Sequence, residues 1–214
     1  MDASERCEVG RKRGGGRSRG EADHYTRQAR RAGYPARSVY KLEEIQRRFH
    51  PIGRGGRVLD LGAAPGSWSL YCLRELGSTV VAVDLQPLEL TPPDPARFTG
   101  LRGDVLTPET RREIVRHGPY NAVLSDAAPS TTGNRIVDAA RSFELARAVL
   151  DVAPECLDPG GGCVIKVFQG GDETEILSEM KRGFREARGF KPRASRGESF
   201  EMFLVGVGFI QKSA

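Results

Sequence analysis

Short apolar runs bounded by glycine and proline alternate along this chain with longer stretches that carry helical periodicity. Val58 to Leu61 is such a run, with glycines on both sides, and suits a strand buried on both faces of a parallel sheet. Thr79 to Asp84, Phe98 to Leu101, Tyr120 to Ser125 and Cys163 to Phe168 read as further strands, and a last one follows Ser199. Helices are expected over Glu21–Arg31, Ala36–Phe49, Ser67–Leu76, Pro108–Arg116, Ile136–Leu157 and Glu173–Arg188. In the second of these, Val39, Tyr40, Leu42, Ile45 and Phe49 share one apolar face. The proline-rich stretch Leu88–Ala96 reads as a loop, and Pro159-Gly160-Gly161-Gly162 as a turn into the next strand. Strands alternating with helices define an α/β chain with a mostly parallel sheet.

The turn after the first strand carries the most chemistry. Gly62 and Gly66 allow positive φ and close backbone approach, and Pro65 stiffens the turn, so main-chain amides can face a ligand where the helix begins near Ser67. Asp60 stands at the carboxyl end of the strand, where open α/β sheets bind ligands. Asp84 ends the next strand about twenty residues after the first glycine, the place of an acid that binds ribose hydroxyls. G-x-G-x-x-G is missing, so a single nucleoside fits better than a dinucleotide, and a nicotinamide-dependent oxidoreductase is disfavoured.

Composition narrows the class. A length of 214 residues favours one domain, taken as 21–214, with enough chain for a substantial core. Residues 1–20 contain Arg11-Lys12-Arg13-Gly14-Gly15-Gly16-Arg17, too glycine-rich and charged to pack alone. This basic tail is either a solvated terminus or a non-specific contact for RNA phosphates. The formal charge of +5 and pI near 9.2 are consistent with a polyanionic partner. Cys7, Cys72, Cys156 and Cys163 form no C-x-x-C pair, and His24, His50 and His117 do not accompany them at ligand spacing. The expectation is a reducing, cytoplasmic compartment and no metal. No run approaches the roughly twenty apolar residues of a membrane span, and Asp2, Glu5 and Glu8 argue against a transit peptide.

Asp60-Leu61-Gly62-Ala63-Ala64-Pro65-Gly66-Ser67-Trp68 resembles the S-adenosylmethionine loop of the FtsJ/RrmJ family of RNA ribose 2′-O-methyltransferases, and the likeness runs from about Asp23 to about Gly208. Ser67 departs from the glycine that bacterial members often have, but a small residue remains. The resemblance implies a Rossmann-like methyltransferase fold with helices on both sheet faces and an antiparallel terminal strand. It also implies S-adenosylmethionine as cofactor, contacted by Gly66 and Trp68 at the turn, Asp84 at the ribose and Asp104 at the adenine. Asp126 lies in a segment similar to the family's aspartate motif, at the mouth of the crevice.

The catalytic set implied by the resemblance is Lys41, Asp126, Lys166 and Glu201, with Glu198 as the rival of Glu201. Helical periodicity alone would leave Lys41 beside an apolar stripe, whereas Arg37-Ser38-Val39-Tyr40-Lys41-Leu42 matches the family's first lysine segment. Lys166 interrupts an apolar strand and needs an acidic partner or a polar crevice, because an unpaired buried ammonium is costly. It is the candidate proton acceptor; Asp126 and Glu201 orient and balance it, and Lys41 fixes the hydroxyl or a neighbouring phosphate. Arg27, Arg30, Arg31 and Arg37 would form a positive rim for the RNA backbone. The substrate so implied is a uridine in the A loop of large-subunit ribosomal RNA; a monomer is expected because no self-complementary patch stands out in the sequence. Transfer RNA, a messenger cap, or a non-catalytic role in ribosome assembly on the same scaffold are the alternatives.

Overall fold

The computed structural model describes residues 19–170, 173–195 and 199–211, with side chains from His24 onward. The basic tail through Ser18, and Glu198, lie outside the described residues. Seven strands form one sheet: β1 Arg57–Leu61, β2 Thr79–Asp84, β3 Phe98–Arg102, β4 Tyr120–Ser125, β5 Leu157–Phe168, β6 Phe184–Phe190 and β7 Glu201–Phe209, in the order β3-β2-β1-β4-β5-β7-β6. Only β7 runs against its neighbours, pairing antiparallel with both β5 and β6.

Among the described residues six α-helices cover the two faces: α1 Arg19–Arg31, α2 Val39–Phe49, α3 Ser67–Glu75, α4 Pro108–Arg116, α5 Arg135–Cys156 and α6 Glu173–Gly183. Side chains alternate across a strand, and the core divides accordingly. Leu59, Leu61, Val81, Val83, Val123 and Ile165 pack with Ile114 of α4, Val149 of α5 and Ile176 of α6. Val58, Val80, Ala82, Leu124, Val164 and Phe203 pack with Leu42 and Ile45 of α2 and with Trp68, Cys72 and Leu73 of α3. Residues of one strand thus anchor helices on opposite sides. Cys72, Cys156 and Cys163 are buried free thiols within this packing.

Three segments depart from the sequence reading. The helix expected to run to Arg188 stops at Gly183, and Phe184–Phe190 is the edge strand β6. Ile176, Met180, Phe184 and Ala187 are all buried and continue one helical stripe in sequence, yet β7 would otherwise expose its hydrogen-bonding edge. Pairing with β7 outweighs local periodicity, as tertiary context often does. The second helix begins at Val39 rather than Ala36, after turns that follow Pro35. The Pro159–Gly162 turn is absorbed into β5 as an irregularity: Tyr120 pairs with Leu157, and the register resumes at Ala122 with Gly162. Gly162 has no room for a side chain, because a Cβ would stand 2.0 Å from the Pro51 carbonyl oxygen.

Candidate active site

The parallel strands β1, β2 and β4 end side by side, and their loops meet there. Gly62, at φ +69°, lies so close to the loop after β4 that a Cβ would fall 2.5 Å from Ala127 Cα. That approach seats Asp126 against the glycine turn. The Gly62 and Ala63 amides donate to the Val83 carbonyl, and Ala64 N–H donates to Asp84 Oδ2 at 2.9 Å. Asp84 Oδ1 accepts from Gln86 N–H at 2.7 Å, so one carboxylate ties the turn to the end of β2. Each oxygen retains a lone pair for a further donor. Gly66, at φ +114°, faces Leu90, whose Cδ2 would be 2.4 Å from a Cβ. Asp104 accepts from Leu106 N–H at 3.0 Å, an Asx turn at the end of β3.

Trp68 is buried in the first turn of α3; its indole N–H donates to the Ser38 carbonyl at 2.9 Å and its ring tilts over Phe203. Its side chain therefore joins α3 to the approach to α2 and to β7. Ser67 reinforces the joint, accepting from Ala36 N–H and donating to Ala36 O. The leading N–H groups of a helix have no intrahelical partners, so this end of α3 offers main-chain donors.

Asp60 is completely buried. Ser69 Oγ donates to its Oδ2 at 2.6 Å, whereas Oδ1 has no partner. Burial, with the negative charges of Asp126 and Asp84 adding to it, pushes its carboxyl up to about 7 against the opposing Ser69 hydrogen bond. Three acids thus face one another around the glycine turn.

Beside them lie two lysine–carboxylate pairs. Lys166 Nζ sits 2.9 Å from Asp126 Oδ1 and also donates to the Asp126 carbonyl oxygen. Lys41 Nζ sits 2.6 Å from Glu201 Oε1, and 5.8 Å from the centre of the Phe203 ring. Lys41 and Lys166 are both buried, which explains why each is held by a carboxylate. Sheet register places the pairs together: Lys166 stands opposite Phe203, and Glu201 lies two residues along the same face. Such diagonal neighbours are roughly 7–8 Å apart. Around Lys166 Nζ, two of three bonding positions go to Asp126 among the described residues.

Glu44 was not singled out from sequence. Its two carboxylate oxygens accept from Arg193 N–H and Ala194 N–H, each at 2.9 Å, so α2 holds the loop that leads towards Glu201. An i+3 acid after Lys41 on a helix was the only local sign. The partner lies about 150 positions away, and periodicity cannot indicate it.

Acids at the ends of β1, β2 and β4 with two lysine–carboxylate pairs beside them, on a sheet whose β7 runs antiparallel, fit an α/β methyltransferase. The fold is similar to that of a Plasmodium falciparum protein assigned as a ribosomal RNA methyltransferase, at TM-score 0.72 and 22% identity over 84% of this chain and all of that one. It is also similar to human methyltransferase-like protein 13 in complex with SAH, at TM-score 0.52 and 13% identity over 91% of this chain and 82% of that one. The chain belongs to the FtsJ-like methyltransferase family, whose model matches residues 34–209. The ribosomal RNA large subunit methyltransferase E of Treponema denticola is 46% identical over 88% of this chain and 96% of its own length. The protein of that name from Syntrophobacter fumaroxidans is 45% identical over 86% of this chain and 94% of its own.

Proposed function

We propose that this protein transfers a methyl group from S-adenosylmethionine to a ribose 2′-hydroxyl of large-subunit ribosomal RNA, at a uridine of the A loop. The observation that carries the chemistry is the convergence of Lys166–Asp126 and Lys41–Glu201 on one sheet face beside the glycine turn. The ribosomal target is supported by the two relatives, which align with 88% and 86% of this chain.

The crevice fits the cofactor. Gly62 and Gly66 leave no space for side chains of their own where a ligand must come close, Asp60 holds an unpartnered buried oxygen, and three neighbouring acids favour a cation. In this reading Asp84 receives the ribose hydroxyls, Asp104 the adenine, Gly66 and Trp68 contribute main-chain contacts, and Asp126 borders the methyl. When bound, the cofactor supplies an electrophilic methyl on a sulfonium.

The residues then divide the work. Lys166 occupies the position from which the hydroxyl proton is taken, with Asp126 fixing its direction through two oxygens. Glu201 holds Lys41, which fixes the hydroxyl or the adjoining phosphate. Alignment of the hydroxyl with the methyl supplies much of the rate enhancement. Arg27, Arg30 and Arg31 on exposed positions of α1 add positive charge for the RNA backbone. No helix among the described residues is long and apolar enough to cross a membrane.

Tritium transfer from labelled S-adenosylmethionine tests the reading. Incorporation into large ribosomal subunits or their RNA is expected, and none into isolated transfer RNA. The reverse pattern, or no transfer to any RNA, overturns it. Asp84→Ala should raise the cofactor dissociation constant by at least about tenfold, or about 1.4 kcal/mol, in calorimetry, with the fold retained. Unchanged affinity would take Asp84 out of the ribose site.

A further inference from the structure

Next to the catalytic pairs is a ring and cation stack that the proposed chemistry does not use. Phe168 closes β5, two residues beyond Lys166 and on the same face, and is the register partner of Glu201. Phe200 precedes Glu201, and its ring centre lies 4.6 Å from that of Phe168. The Gln169 amide donates to the Phe200 carbonyl at 2.9 Å, which holds the two segments together. Arg135, the first residue of α5, lays its guanidinium over Phe200 at 5.4 Å. Phe168 and Phe200 are half-buried and Arg135 is exposed.

Among the described residues no carboxylate or carbonyl accepts from the Arg135 guanidinium, whose plane is held by a ring. Other arginines on nearby helices are spent: Arg111 pairs with Glu155 and Arg147 with Glu179. Ile136, the next residue of α5, is 82% exposed, the highest value among the exposed large apolar side chains of the described residues. A planar cation on an aromatic support, with an apolar edge beside it, has the chemistry that receives an unpaired nucleobase.

We propose that Arg135, backed by Phe200 and Phe168, is the wall on which the base of the target nucleotide stacks; this rests on the ribose-methylation reading above. The base hangs from the ribose carbon next to the one that bears the reacting hydroxyl. A hydroxyl at Lys166 therefore brings the base towards the ends of β5 and β7, roughly 6–7 Å along the strand, where Phe168 follows Lys166 by two residues and Phe200 directly precedes Glu201. A nucleotide whose ribose enters a crevice leaves its own stack, and an aromatic or guanidinium plane replaces the lost contact. Because a plane reads every base alike, this wall positions the nucleotide rather than selecting it.

The test measures tritium transfer to large ribosomal subunits, with cofactor affinity and thermal melting recorded for each variant. Arg135→Ala and Phe200→Ala should each raise the KM for RNA about tenfold or more, leave cofactor affinity unchanged, and give no further loss when combined, because they remove one wall. Phe200→Trp should retain activity. Arg135→Lys should not, since an ammonium carries charge without a plane. Full rescue by Arg135→Lys makes the residue a simple phosphate contact and overturns the proposal. A fall in kcat alone, confined to Phe200→Ala, makes Phe200 a support for Glu201 and overturns it as well. Should Phe200→Ala melt early, Phe200→Leu, which keeps apolar bulk without an aromatic face, is expected to show the same rise in KM; a wild-type KM there counts against stacking. If the wild-type protein methylates no RNA, the function reading fails first, a result separable from all of these.

Discussion

Lys166→Ala should abolish methyl transfer in single-turnover assays, with a loss on the order of 10³-fold or more, while calorimetry finds S-adenosylmethionine still bound. Proton transfer by a positioned side chain contributes about 10²–10⁴-fold, and misplacement of the hydroxyl adds to that when Nζ is gone. The variant also strands Asp126, whose carboxylate is mostly buried and is held by Lys166. Removing one member of a buried pair can cost about 3–5 kcal/mol of stability. The measurement is therefore paired with Lys166→Ala/Asp126→Asn, which removes the stranded charge; activity should stay lost although melting recovers. Lys166→Arg separates two roles of the lysine. A guanidinium can orient a hydroxyl but does not give up its proton in proteins, so activity stays lost if Lys166 accepts the proton and returns in part if it only aligns the hydroxyl. Retained transfer in Lys166→Ala would leave the paired lysines as structural ion pairs.

That residue also illustrates what can be read before the fold is known. A lysine inside Cys163–Phe168 violates the pattern of its own strand, and the physical cost of an unpaired buried charge demands a partner wherever the chain can supply one. The strands β2 and β4 and the helix α4 have their expected bounds, because turn residues and apolar runs agree there. Lys41 is the opposite case. Its periodicity describes a helix neighbour in water, and only the arrival of Glu201, 160 positions later, turns it into a buried group. The resemblance to a known family marked it; its local pattern could not. β6 was missed for a related reason, since an edge strand owes its existence to the strand beside it. Trp68 sits at the expected ligand turn in sequence, and in the fold its indole is engaged by Ser38 and Phe203.

Asp60→Asn should change the pH dependence of stability more than any other single substitution in the crevice. In the fold the carboxyl is held neutral up to about 7, because burial and the charges of Asp126 and Asp84 oppose its ionisation. In the unfolded chain it releases its proton from the ordinary value of 3.8. Between the two values unfolding sheds a proton, so rising pH favours the unfolded state, and the stability gained from the neutral carboxyl is lost as pH passes through the folded value. Asparagine cannot ionise and lacks this term. Relative to wild type, the variant should gain on the order of 4 kcal/mol between about pH 4 and pH 8, from roughly three pKa units at about 1.4 kcal/mol each. Comparing the two proteins at both ends cancels any fixed cost of placing an amide where Oδ1 has no partner. Denaturant midpoints at several pH values provide the check, and parallel curves for variant and wild type would show that Asp60 is ionised throughout. The cofactor supplies an independent readout. A cation in the crevice favours the carboxylate, so its affinity for wild type should strengthen as pH rises towards 8 and stay flat for Asp60→Asn. The cost of gathering three acids is then relieved when a positive ligand binds, which makes part of the folding free energy depend on the cofactor's own charge.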